Sequence, residues 1–139
     1  MTSSAVRTDL ARITDERALL DAADGLTDRW KAAGFGVETV EPVLQMMEAH
    51  HDWDFGVPGA LVHYVERFYK HGYEAMLVES LKRRPTSHTL WMLNRVINGE
   101  ENADSKRQYV AMLARVAQDQ AQDAAVKQRA EHFLSLHES

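Results

Sequence analysis

Apolar residues recur every three or four positions along most of this chain, and glycine, proline and capping residues cut the pattern at short intervals. That periodicity predicts seven helices. The first opens near Thr14, where Asp15 and Glu16 suit a helix N-terminus; Leu19, Ala22, Leu26, Trp30 and Ala33 share a face, and Gly34 is the stop. The second, about Glu38 to His51, buries Val40, Val43, Leu44 and Met47, with Pro42 in the first turn, where its missing N–H costs no intrahelical bond. After a loop from Asp52 to Val57, the third places Pro58 near its first position and turns Leu61, Val65, Phe68 and Tyr69 inward. Tyr73, Met76, Leu77 and Leu81 mark the fourth, and its basic end Lys82-Arg83-Arg84 complements the negative pole of the helix dipole.

The fifth predicted helix, about Thr86 to Asn98, differs from the others. Leu90, Leu93 and Ile97 form one face, while Trp91, Met92 and Val96 populate much of the rest, so it is expected to be central and packed on more than one side. Beyond the polar Gly99-to-Ser105 connection, Tyr109, Met112, Leu113 and Val116 make the sixth helix, and Val126, Ala130, Phe133 and Leu134 the seventh. No segment alternates as a strand would. Short connections favour antiparallel neighbours, and helix starts in the second half recur at roughly 30 to 35 residues, a helical-repeat spacing. The expected fold is therefore all-α: about seven short antiparallel helices stacked as HEAT-like hairpins, or an irregular helical bundle. Residues 1–13 carry no clear period and read as a loose N-terminal tail, and 14–139 read as a single all-helical domain.

Composition narrows the function classes more than it selects one. The 139 residues suffice for a substantial core without staples, and the absence of cysteine removes disulfides, thiolate catalysis and cysteine-ligated zinc. A formal charge of −5, from 21 acidic and 16 basic residues, argues against direct nucleic-acid binding and suits a basic partner, although it equally suits plain solubility. The first seven residues lack the apolar core of a signal peptide, and no run approaches a membrane span, so a cytoplasmic protein without membrane contact is expected.

Seven histidines invite a metal hypothesis. Glu48-x-x-His51 matches half of a di-iron carboxylate motif, but no second half follows. His51-Asp52 has the form of the central dyad of helical metal-dependent phosphohydrolases, yet the only upstream histidine is the adjacent His50. His63 and Glu66, with Arg67 and Lys70 beside them, form a polar helix face that could bind a partner or anchor the preceding loop near Asp52 and Asp54. Gly56 and Gly59 flank a helix start, but Asp52 and Asp54 would repel phosphate there. No nucleophile-bearing turn supports a Ser-His-Asp set. Neither catalytic residues, metal ligands nor a cofactor are expected. Acidic positions Asp52, Asp54, Glu66, Glu74, Glu100 and Glu101 fall at loops and helix starts, as a rim for a basic surface or as ordinary dipole partners.

Several segments are distinctive as a set: Asp54-Phe55-Gly56-Val57-Pro58-Gly59-Ala60-Leu61-Val62-His63, Phe68-Tyr69, Gly72-Tyr73-Glu74, Arg84-Pro85-Thr86, Thr89-Leu90-Trp91-Met92-Leu93-Asn94-Arg95 and Asn98-Gly99. Together they resemble a family of small helical, HEAT-like immunity proteins of bacterial polymorphic-toxin and contact-dependent growth inhibition systems. Ala60 stands where a second proline is usual. The resemblance implies a non-catalytic protein that binds and neutralises one cognate toxin domain. The alternatives beside it are a helical protein-binding adaptor and, behind both, a metal-dependent helical hydrolase, which would need a site assembled from His50, His51, Asp52, Asp54, His63 and Glu66. The resemblance also implies scaffold roles for Gly56 and Gly59 in close backbone approach, Trp91 and Leu93 in the core, and Thr86 as a cap. No contact residue transfers from the family, so the partner-binding candidates come from the chain itself: Asp52, Trp53, Asp54, His63, Glu66, Glu100 and Glu101.

Overall fold

The computed structural model describes residues 2–56 and 59–137, and the expected place of Pro58 lies outside them. Eight α-helices and no strand occur among the described residues: α1 Thr2–Ala11, α2 Glu16–Ala32, α3 Val40–Ala49, α4 Ala60–Glu66, α5 Tyr73–Arg83, α6 Ser87–Gly99, α7 Ala103–Gln118 and α8 Ala124–His137. A 3₁₀ turn, Val37–Thr39, leads into α3. The all-α class is as the periodicity indicates. The chain forms two compact units, residues 1–76 and 77–139, with the boundary inside α5.

The first departure from expectation is at the start. Residues 2–11 are helical, not a loose tail, and Val6, Leu10 and Ile13 are buried at the i, i+4, i+7 spacing of one face. Asp9 holds this helix in place by accepting a hydrogen bond from the Trp30 indole Nε1 at 3.0 Å, and Arg7 bonds the Gln45 side chain. A buried indole needs such an acceptor, so the packing of Trp30 depends on α1.

In the first unit α1 packs on α3 and α2 on α4, so the principal partners skip one helix instead of forming consecutive hairpins. The cause is α3. Seven of its ten residues are buried, Val40, Pro42, Val43, Leu44, Met46, Met47 and Glu48, and a helix buried on most sides takes neighbours on more than one. Trp30 meets Tyr64 edge-on at 5.3 Å, and Tyr64 meets Phe68 likewise at 5.7 Å. The Tyr64 hydroxyl is hydrogen-bonded to Thr39 Oγ1 at 3.1 Å, which satisfies the polar end of this aromatic column.

Helix ends follow their caps. Asp15 Oδ1 accepts from Ala18 N at 2.8 Å to start α2, and Gly34, at φ +72°, lets Phe35 N–H reach back to the Trp30 carbonyl at the other end. Ala33, expected inward, is exposed because it already belongs to that turn. Phe68 and Tyr69 are half-buried and lie beyond α4, where Arg67, Phe68 and Tyr69 donate three residues back and the chain turns through Lys70 at φ +65° and Gly72 at φ +113°.

In the second unit α6 is central, as its all-round apolar pattern indicates. Leu90, Met92, Leu93, Val96 and Ile97 are buried, each of the larger aliphatic side chains contributing about 1.5–3 kcal/mol. Trp91 departs from its expected core role: it is half-buried, with Arg95 over its ring at 5.2 Å. Thr86 and Thr89 close a capping box at the start of α6, Thr86 Oγ1 accepting from Thr89 N at 3.0 Å and Thr89 Oγ1 from Thr86 N at 3.1 Å. Both α7 and α8 pack against α6 and against each other, burying Met112, Leu113 and Val116 of α7 and Ala130 and Phe133 of α8.

Candidate functional site

Among the expected contact residues, Asp52, Trp53 and Asp54 lie on the loop that follows α3, and its course is set by hydrogen bonds within the loop and one to α2. Trp53 N–H closes a turn on the His50 carbonyl at 3.0 Å, and the His50 ring stacks on Trp53 with centroids 3.8 Å apart and planes 16° from parallel. Asp54 N–H donates to Glu16 Oε2 at 2.6 Å, tying the loop to the first turn of α2. Asp54 Oδ1 in turn accepts from Gly56 N–H at 2.8 Å, with Gly56 at φ +86°. Phe55, between them, is buried. The loop is thus anchored by one apolar side chain and two carboxylates, leaving His51, Asp52 and Asp54 exposed and Trp53 half-buried.

His63 is exposed and Glu66 half-buried on α4. No hydrogen bond joins His63 to Asp52 or Asp54 among the described residues, so the loop-anchoring role open to His63 falls instead to Glu16. No group of three or more His, Asp or Glu side chains among the described residues comes together as metal ligands, and His50, His51, Asp52, Asp54, His63 and Glu66 do not converge in that way.

Glu100 and Glu101 belong to the second unit, at the turn from α6 to α7. Glu100 ends α6 and accepts from Asn102 N–H at 3.0 Å, while Asn102 caps α7 by accepting from Ser105 N–H at 2.9 Å. Glu100 is therefore part of the turn's own bonding, and Glu101 is the exposed acid beside it.

The periodicity did not reveal a cleft of about 190 Å³ in the first unit. Leu19, Leu20, Ala23 and Asp24 of α2 form one wall, and Phe55, Gly56, Gly59, Ala60 and Leu61 form the other. Leu20 is 53 % exposed, off the apolar stripe of α2, and this departure from the helical pattern was the available signal. Gly59 is required for the second wall to close: a Cβ there would lie 2.0 Å from the Phe55 carbonyl oxygen. The close approach expected of Gly59 is thus a contact between backbones.

The chain matches no family model, no curated protein and no solved structure. No helix among the described residues is long and apolar enough to cross a membrane.

Proposed function

We propose that this chain is an immunity protein: a non-catalytic cytoplasmic binder that neutralises a cognate bacterial toxin domain. The observation that carries the reading is the way the resemblance motif is used. Gly59 lies against the Phe55 carbonyl, Phe55 is in the core, Gly56 N–H donates to the Asp54 carboxylate, and Thr86 and Thr89 cap each other. These residues build scaffold, and the scaffold presents the exposed acid Asp52 beside Asp54, which is exposed while one carboxylate oxygen, Oδ1, accepts from Gly56 N–H. An acidic loop fixed in advance costs little ordering entropy on binding and suits a basic partner, such as a nuclease toxin. A HEAT-like stack remains part of this proposal, with the skipped pairing in the first unit favouring an irregular bundle there.

The test is co-expression with the variable C-terminal domain of a large secreted protein encoded beside it. Growth should be rescued and the two proteins should co-purify stoichiometrically. Association should slow steeply as salt rises, and Asp52→Lys or Asp54→Lys should weaken binding more than Glu131→Lys on α8. If no neighbouring toxin is bound or neutralised, the immunity reading fails and a helical adaptor for another protein takes its place.

A further inference from the structure

The cleft in the first unit combines three features that the acidic loop does not. Its walls are mostly apolar, its lip carries the exposed Leu20, and Asp24 is the one acidic residue that lines it. That carboxylate makes no hydrogen bond or ion pair among the described residues; only the Asp24 backbone carbonyl is engaged, by Thr27 Oγ1 at 3.1 Å. At about 190 Å³ the cleft is smaller than the sites that take whole cofactors or drug-sized ligands, and its size suits a single side chain. An aliphatic stem ending in a cation is complementary to such a surface: the methylenes cover the leucine and alanine walls while the charged head stays at the rim beside the carboxylate.

From this charge complementarity we infer that the cleft is a docking socket for one lysine or arginine side chain of a protein partner. The inference rests on reading the chain as a protein binder, but it does not depend on that partner being a toxin. The anchor enters beside Leu20 and Ala23, against the Phe55–Gly56 backbone wall, and its cation pairs with Asp24. Gly59 lies so close to Phe55 that an added Cβ would be 2.0 Å from the Phe55 carbonyl oxygen, and this approach of the two backbones shapes the wall the anchor meets.

Backbone amide shifts followed by NMR test this on the whole chain with four probes: n-butylamine, which is the lysine side chain alone, butan-1-ol, butyrate, and the blocked tripeptide acetyl-Gly-Lys-Gly-amide. The amine and the tripeptide should shift the amides of Leu20, Asp24 and Gly56 saturably; the alcohol should bind about two- to fivefold more weakly, the size of a partly exposed ion pair, and butyrate should not saturate. Asp24→Asn should lower the affinity for the amine to that for the alcohol, and Leu20→Ser should weaken both; the two positions are exposed, and an unchanged circular dichroism spectrum confirms that each variant is folded. The inference is overturned if the amine moves no amide in the cleft, if butyrate binds as well as the amine, or if Asp24→Asn changes nothing. Binding of the amine without binding of the tripeptide would also overturn it, since the cleft would then be a site for a free small amine. Success here with no toxin bound would leave the socket standing and the immunity reading fallen, and a toxin complex without probe binding would do the reverse.

Discussion

Replacing Gly59 by alanine adds one methyl group at the tightest point of the first unit. The new Cβ would lie 2.0 Å from the Phe55 oxygen, 3.0 Å from its carbonyl carbon and 3.1 Å from Gly56 Cα, all backbone atoms that cannot swing aside. Restoring an ordinary contact of about 3.4 Å to the oxygen requires a shift of roughly 1.4 Å in the Phe55–Gly56 segment or in the start of α4. Either movement disturbs the buried Phe55 or Leu61. Overpacking of this kind costs about 1–3 kcal/mol. The same chemical change at Gly25, inside α2 with nothing within 4 Å of the added Cβ, should act in the opposite direction and stabilise by about 0.5–1 kcal/mol, because alanine loses less backbone entropy in a helix. Urea unfolding measures both, as shifts in midpoint at unchanged m-value. A Gly59→Ala variant within about 0.5 kcal/mol of the parent would refute the close-approach reasoning, as would a destabilising Gly25→Ala.

Three further outcomes test other parts of the structure. Thr86→Ala removes a buried capping box and should destabilise by about 0.5–2 kcal/mol in the same assay; Thr86→Ser should recover most of that loss. Burial, aided by Lys106, holds His137 below its ordinary pKa, beside Asn94 Oδ1 at 2.7 Å, so its neutral form is the one the fold favours. Its contribution is complete above the ordinary value of about 6.5 and is lost as the pH falls through that value toward the lowered one, so the parent should lose more stability than His137→Gln between neutral and mildly acidic pH. Prolonged chelation should leave the melting temperature unchanged, since no three candidate ligands converge among the described residues; a drop of many degrees reversed by zinc, manganese or iron would reopen a metal-dependent reading.

Helix existence was legible where a cap and a period coincide. Asp15 before the Leu19-to-Trp30 stripe and Thr86 before the all-round apolar run are both local signals, and both helices form where those signals put them. The first helix was obscured by composition. Val6, Leu10 and Ile13 have the right spacing, but one apolar residue per turn among Thr, Ser, Asp and Arg is a narrow stripe, and the indole–carboxylate bond from Trp30 to Asp9 that secures it spans 21 residues. Phe68 and Tyr69 misled in the opposite sense. They continue the apolar count of α4, but the backbone has already tightened into 3₁₀-type bonds and is turning toward a left-handed Lys70.

The same division between local and distant contacts separates the legible part of the candidate site from the rest. That Asp52 and Asp54 sit on an exposed loop followed from their neighbours in the chain. What holds the loop did not, because Glu16, 38 residues earlier, accepts the Asp54 N–H, and periodicity assigns Glu16 only a place in a helix's first turn. The cleft has the same origin. Leu20 looks like an ordinary surface leucine on α2, and Ala60 is simply a small residue at a helix start; they become two sides of one cavity only when α2 packs on α4. A cleft assembled by such packing leaves no spacing of its own in the sequence. It leaves residues that fit no local rule, and an exposed Leu20 beside an Asp24 whose carboxylate has no hydrogen-bond or ion-pair partner among the described residues is a pair of that kind.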